Sequence, residues 1–256
     1  MAEEAMLKKY EVVNTEYEVK NYNGNVSAFF NVFKYDFISN IIKQNKIWEH
    51  NLHYVFERYI NKNSVVLEGG CHIGTHSIKL SMLAKQVHCF EPLRESNTLL
   101  RKNIHRNNCN NIVVYNEALS DIEGTSNFAW MLISNVGAAG LNDNPMGIHN
   151  TGILTNEAEM YEVKIITIDS LNLDKLDFIK LDVEGYETKV IEGAMNTIKK
   201  CRPIITLECW SNWFGQTDLN YTKKQFKKLL ELNYSIKQIG TADWLFLPDT
   251  HNTRLI

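Results

Sequence analysis

The chain is 256 residues long, 44% hydrophobic, and carries a formal net charge of −3, enough apolar material for one substantial core. No long basic run follows it, so a nucleic-acid partner is not expected. Five cysteines, Cys71, Cys89, Cys109, Cys201 and Cys209, form no C-x-x-C pair, which excludes a zinc ribbon or a disulfide framework. The first residues lack the apolar core of a signal peptide, and no apolar run is long enough to span a membrane, so the expected setting is the cytoplasm.

Residues 1–46 read as an N-terminal extension, a lid or small hairpin, with aromatic alternation around Tyr10–Val19 and Val26–Phe33. The main domain is expected over 47–256. From Ile47 to Ile60, apolar residues recur at helical spacing. Trp48-Glu49 opens that helix, and Glu49 is either a first-turn acid or part of a cleft wall.

Val65, Val66 and Leu67 form a short apolar run suited to a buried parallel strand. Glu68, Gly69, Gly70 and Gly74 follow, and Ile78, Leu80 and Leu83 continue as a helix. Strand, glycine turn and helix together bring bare backbone and a helix start close to a ligand. The spacing is acid-x-Gly-x-x-x-Gly rather than the G-x-G-x-x-G of a dinucleotide site, and an acid in the loop would repel a diphosphate. It suits a ligand bearing an ammonium group.

A second strand, Gln86 to Phe90, ends in Glu91-Pro92. An acid about twenty residues past the glycine turn is placed to accept ribose hydroxyls. Two acids at successive strand ends point to a nucleoside site. Asn97–Arg106 reads as a helix and Ile112–Tyr115 as a third strand, after which Asn116, Glu117 and Ala118 could meet an adenine edge. Residues 124–162 are interrupted by Gly and Asn and read as an irregular, acceptor-binding flap, with Asn135 and Gly137 its most promising turn and His149 a weaker candidate.

Phe178–Leu181 is a fourth core strand, ending in Asp182-Val183-Glu184-Gly185. A helix follows, then a fifth strand, Pro203–Leu207, closing in Glu208. Trp210 and Trp213 lie just beyond. A helix over Thr222–Leu232 and a terminal hairpin of Tyr234–Ile239 and Trp244–Leu247 complete the chain. The alternation predicts an α/β fold, a doubly wound and mostly parallel seven-stranded sheet with its cleft at the strands' carboxyl ends. Glu68, Glu91, Asp182 and Glu208 all fall at such ends.

The motifs Val66 to Gly74, Cys89-Phe90-Glu91-Pro92, Asn116 to Asp121, Thr167 to Leu171 and Phe178 to Glu187 resemble those of the FkbM-type S-adenosylmethionine-dependent methyltransferases. The resemblance covers roughly Trp48 to Trp210. That family commonly has Asp, Ala and Asn where this chain has Glu68, Cys71 and His72. The resemblance implies a Rossmann-like Class I methyltransferase fold and methyl transfer from S-adenosylmethionine, usually to an oxygen of a sugar, glycan or small metabolite, leaving S-adenosylhomocysteine.

Cofactor contacts are then expected from Glu49, Glu68, Gly70, His72, Gly74, Thr75, Glu91, Asn116, Glu117, Ala118 and Asp182. Asp182 and Glu184 are the candidate catalytic bases, and Asn135, Gly137, His149, Glu208 and Trp213 the candidate acceptor contacts. Asp182, Glu184 and Glu208 could together hold a divalent ion, although none is expected. The partner is a small-molecule or glycan acceptor, and a homodimer is left open. The alternatives are a module that binds S-adenosylmethionine without turnover and an N-methyltransferase of a small metabolite. A nucleic-acid base methylase would carry an Asp/Asn-Pro-Pro-aromatic turn after the fourth strand, where Asp182-Val183-Glu184-Gly185 stands instead.

Overall fold

A computed structural model describes residues 12–13, 15–130, 140–141, 159–211 and 216–249. The chain opens with an antiparallel hairpin, β1 (Tyr17–Asn23) and β2 (Val26–Phe30), the hairpin alternative read for this segment. Asp36 then caps α1 (Phe37–Lys43), its carboxylate accepting the Ser39 N–H at 2.7 Å, as a short acid at that position should. Next come α2 (His50–Tyr59), β3 (Val65–Gly69), α3 (Thr75–Leu83), β4 (Gln86–Phe90), α4 (Arg94–Arg106) and β5 (Ile112–Tyr115).

Where it is described, the segment expected to be irregular forms strands instead. β6 (Ala118–Leu119), β7 (Gly124–Trp130), β8 (Gly140–Leu141) and β9 (Glu159–Ile166) make a second sheet in the order β6-β9-β7-β8. β7 and β9 pair along their length, from Gly124 opposite Ile165 to Trp130 opposite Glu159. Their partners lie far apart in sequence, which is why a local reading of Gly and Asn misses them.

β10 (Phe178–Leu181) returns to the main sheet, followed by α5 (Glu187–Glu192), α6 (Met195–Cys201), β11 (Ile204–Glu208), α7 (Leu219–Gln225), α8 (Lys227–Glu231), β12 (Tyr234–Gln238) and β13 (Asp243–Pro248). The single helices expected after Gly185 and over Thr222–Leu232 are each divided in two, at Gly193-Ala194 and at Phe226.

The main sheet has seven strands in the order β12-β13-β11-β10-β3-β4-β5, and only β13 runs against its neighbours. Successive residues along each buried strand face opposite helical layers, so the strands read as continuous apolar runs. Val66, Cys89, Phe178, Ile204 and Leu245 pack with Leu52, Phe56 and Leu80 of α2 and α3. Leu67, Phe90, Ile179, Ile205 and Phe246 pack with Val190, Ile191, Ile198 and Leu229 on the other side.

A further cluster joins the N-terminal hairpin to the second sheet: Val19, Tyr22, Phe30 and Phe33 pack with Ile73, Ile78, Phe128, Leu141 and Ile165. The chain winds from β3 outward to β5, then crosses back to β10 on the other flank of β3. Such a reversal opens a crevice at the strands' carboxyl ends. Among the described residues no helix is long and apolar enough to cross a membrane.

Candidate active site

A cavity of about 770 Å³ occupies that crevice, within the range of roughly 300–1,000 Å³ usual for small-molecule sites. Its floor is the glycine turn after β3. Gly70 has φ +79°, and a Cβ there would lie 1.7 Å from the Asp182 carbonyl oxygen, so only glycine lets the ends of β3 and β10 approach this closely.

The walls carry carboxylates. Glu91, Asp182, Glu184 and Glu208 line the cavity from the ends of β4, β10 and β11, and Glu49 and Asp243 complete the ring. Among the described residues no lysine or arginine lines it. Asp243 escapes a motif reading because it begins a strand rather than ending one. It belongs to the same lip because β13 is antiparallel and sets Asp243 opposite Glu208.

Glu91 is held rigidly. Its Oε2 accepts the His72 N–H at 2.6 Å and its Oε1 the Leu93 N–H at 2.8 Å. Each oxygen keeps a further lone pair for a ligand hydroxyl. Burial pushes this carboxyl up to about 7, against the pull of the two N–H donors.

Burial and the Asp182 charge also raise Glu49 to about 7 and Glu208 to about 10. Asp243 rises to about 7 through burial and the charge of Glu49. Glu184 is raised well above the carboxylate range by burial and Asp182. Burial and mutual repulsion favour the neutral forms of these acids, and a cationic ligand would shift them back toward the charged forms.

Backbone strain is gathered here too. Among the described residues nine other than glycine have positive φ, five of them asparagines, which tolerate it. Three of the remaining four, Glu49 (φ 44°), His72 (φ 48°) and Glu184 (φ 55°), line the cavity. Strain of this kind persists where the surroundings over-determine a functional geometry. The Glu184 turn is tied down by Glu187, whose Oε1 accepts the Val183 N–H at 2.8 Å.

Glu49 lies 2.9 Å from His76 Nε2. Burial drives His76 down to about 3, so this contact is a neutral-imidazole hydrogen bond and not an ion pair. Lys180 is buried at 3% exposure with its Nζ 3.2 Å from Asp182 Oδ2. Burial works against its charge, but the carboxylates of Asp182, Glu68 and Glu49 outweigh it and raise its pKa.

Of the expected cofactor contacts, Glu49, Gly70, His72, Glu91, Ala118 and Asp182 are on the cavity wall. The others are not. Glu68 is still within β3, where strand alternation turns its side chain toward α3. There it receives the Ser77 hydroxyl at 2.5 Å, with Lys180 its cross-strand neighbour. Glu68, expected to grip an ammonium, thus lies behind the turn and off the described cavity wall, with burial raising its carboxyl.

Gly74 caps α3, and the Thr75 carbonyl accepts the Tyr22 hydroxyl. Asn116 accepts from Arg101 at 3.0 Å, and Glu117 faces Lys164 at 3.7 Å. Of the acceptor candidates Glu208 is on the wall, whereas Asn135, Gly137, His149 and Trp213 lie outside the described residues. Phe37 and Trp48, unassigned or left open by motif reading, also line the cavity.

Asp182, Glu184 and Glu208 do not bring three donor atoms within 4.8 Å of one another. Among the described residues Glu68, Cys71 and Cys89 do, in a buried cluster. Burial raises both thiols, which keeps them protonated and poor metal ligands.

The structure resembles an FkbM methyltransferase from Methylobacillus flagellatus KT, with a TM-score of 0.48 and 13% identity over 82% of this chain and 52% of that one. The chain thus spans about half the length of that protein. It also resembles SMU.1697c from Streptococcus mutans, solved in complex with SAH (TM-score 0.44, 13% identity, 77% and 94% of the two chains). An rRNA methylase from Streptococcus thermophilus gives a TM-score of 0.45 at 10% identity over 77% and 92%. No curated protein matches by sequence. Residues 69–236 match the model of the Methyltransferase FkbM domain; this is well over half of the chain, which therefore belongs to the FkbM methyltransferase family and has the α/β fold of Class I methyltransferases.

Proposed function

We propose that this methyltransferase moves a methyl group from S-adenosylmethionine to a hydroxyl oxygen of a small molecule, a sugar or glycan. The observation that carries the reading is the ring of carboxylates around a 770 Å³ cavity with no lysine or arginine on its described wall. Such a wall attracts a ligand with positive sulfonium and ammonium groups and repels phosphate.

The residues fit that donor. Gly70 leaves room for close backbone approach, and Glu91 is preset for ribose hydroxyls by two N–H groups. Phe90, Ala118 and Leu119 offer an apolar wall for a flat base, and Glu49 and Asp182 face the charged end. S-adenosylmethionine, when bound, supplies an electrophilic methyl on a positively charged sulfur.

The chain's own work is alignment and proton removal. Holding an acceptor oxygen in line with the methyl supplies much of the acceleration. Asp182 and Glu184, at the mouth end of β10, are positioned to take the acceptor's proton. Burial and Asp182 raise the Glu184 pKa, and the positive charge of a bound donor would lower it again, favouring its role as a base. Phe37 and Ile38 bring the N-terminal segment into the cavity wall.

The test is transfer of a labelled methyl group to a panel of sugars and glycans. Incorporation that is lost in Asp182→Asn supports the reading, and donor binding without transfer to any hydroxyl acceptor refutes it.

A further inference from the structure

The acid ring accounts for the donor but leaves the outer part of the cavity unexplained, and there the N-terminal segment intrudes. Phe37, the first residue of α1, lines the cavity yet is 54% exposed. Trp48, half-buried, stands against it with ring centroids 5.7 Å apart and planes at 89°. The two rings form an apolar corner at the mouth, fixed by the Asp36 cap beneath Phe37. Both residues precede the matched domain, 69–236, so the family match by itself does not account for this corner.

Around the corner stand the acids Glu49, Glu184, Glu208 and Asp243, with Asn51, His72, Ser96 and Thr241 among the uncharged polar residues of the same lining. The nearest cations in sequence are engaged elsewhere: Lys34 lies over the Tyr35 ring, and Lys46 donates to Gln44 Oε1 at 2.9 Å. From Asn107 to Val163, the stretch containing the whole insertion, there is no lysine or arginine at all. A ligand matching these walls has an apolar ring face, hydroxyl or ammonium donors along its edge, and no phosphate. Aromatic rings take up apolar faces and ligand cations, and carboxylates accept the edge donors.

We propose that Phe37 and Trp48 form an acceptor subsite for the ring face of a neutral or amino-bearing sugar, and that the acid wall turns away phosphorylated and nucleotide-linked sugars. This rests on the methyl-transfer reading and adds to it the charge class of the acceptor and the residues that select it.

Saturation-transfer NMR and calorimetry with S-adenosylhomocysteine present test it, using methyl pyranosides, an amino sugar, glucose 6-phosphate and a uridine-diphosphate sugar. The expected result is binding of the first two, with saturation concentrated on ring C–H protons, and at least tenfold weaker binding of the phosphorylated pair. Phe37→Ala and Trp48→Ala should each raise the sugar Kd tenfold or more, and Phe37→Tyr should restore it. S-adenosylhomocysteine affinity, measured on every variant, shows that it is folded.

Equal sugar affinity in Phe37→Ala and wild type overturns the subsite, as does tighter binding of the phosphorylated sugars. Bound S-adenosylhomocysteine with no sugar bound overturns this proposal alone. Failure to bind S-adenosylhomocysteine overturns the methyl-transfer reading and this one with it.

Discussion

The Glu91 carboxylate takes the His72 backbone N–H at 2.6 Å, which ties the end of β4 to the strained residue in the middle of the glycine turn. The same carboxylate therefore shapes the turn and presents its remaining lone pairs to the cavity. Glu91→Ala removes both functions. Donor affinity is expected to fall by about 1–3 kcal/mol, the usual worth of charge-assisted hydrogen bonds, and stability to fall by a similar amount because two buried N–H groups lose their acceptor. Titration calorimetry and urea unfolding measure the two effects, and unchanged donor affinity would remove Glu91 from the site.

Gly70→Ala is expected to be the most damaging small substitution in the floor. Its Cβ would meet the Asp182 carbonyl at 1.7 Å, and the backbone there has φ +79°, so β3 and β10 must separate. A loss of about 3 kcal/mol or more is expected, combining the steric clash with the positive-φ penalty. A variant as stable as wild type in urea would show that the strand ends do not meet this tightly.

The acids make stability depend on pH in a stated direction. Burial raises Glu91 and Glu187 to about 7 in the folded chain, above the ordinary value near 4.3 of an unfolded glutamate. The folded state then holds protons that the unfolded state has released. Their stabilising contribution is complete below about pH 4, declines as pH rises through about 7, and is gone above it. The slope is at most about 1.4 kcal/mol per pH unit for each group. Below about pH 6.5 the buried, neutral His53 and His76 work the other way; unfolding midpoints of the ligand-free protein should therefore fall between pH 7 and pH 8, and midpoints that rise over that interval would contradict the raised pKa values.

The base is assigned by a separate pair of variants. Asp182→Asn and Glu184→Gln are near-isosteric, and at least one should slow transfer by about a hundredfold, the lower end of what a positioned base provides. Glu184→Gln should do so with donor affinity largely kept. Rapid-quench single-turnover rates read the chemical step alone, and full rates in both variants would eliminate these two acids as the proton acceptor.

Much of this site was legible because parallel strands write their ends into the sequence. Short apolar runs closing in Glu91, Asp182 and Glu208 locate three carboxylates on one lip. Periodicity could not say where Glu68 points, since only strand register places it opposite Lys180 and beneath the turn. Nor could it find Asp243, whose place depends on β13 running antiparallel. The insertion hid its sheet because β7 and β9 stabilise each other across a long separation. Phe37 lay outside every motif, and only the packing of the N-terminal segment brings it to the cavity.

A crystal structure with S-adenosylhomocysteine bound tests the central claim most directly. The expected arrangement has the ribose hydroxyls within hydrogen-bonding distance of the Glu91 carboxylate, the chain of the ligand over the Gly70 turn, and its amino group among Glu49 and Asp182. A ligand found outside this crevice, or inside it with Glu91 making no contact to the ribose, would contradict the account.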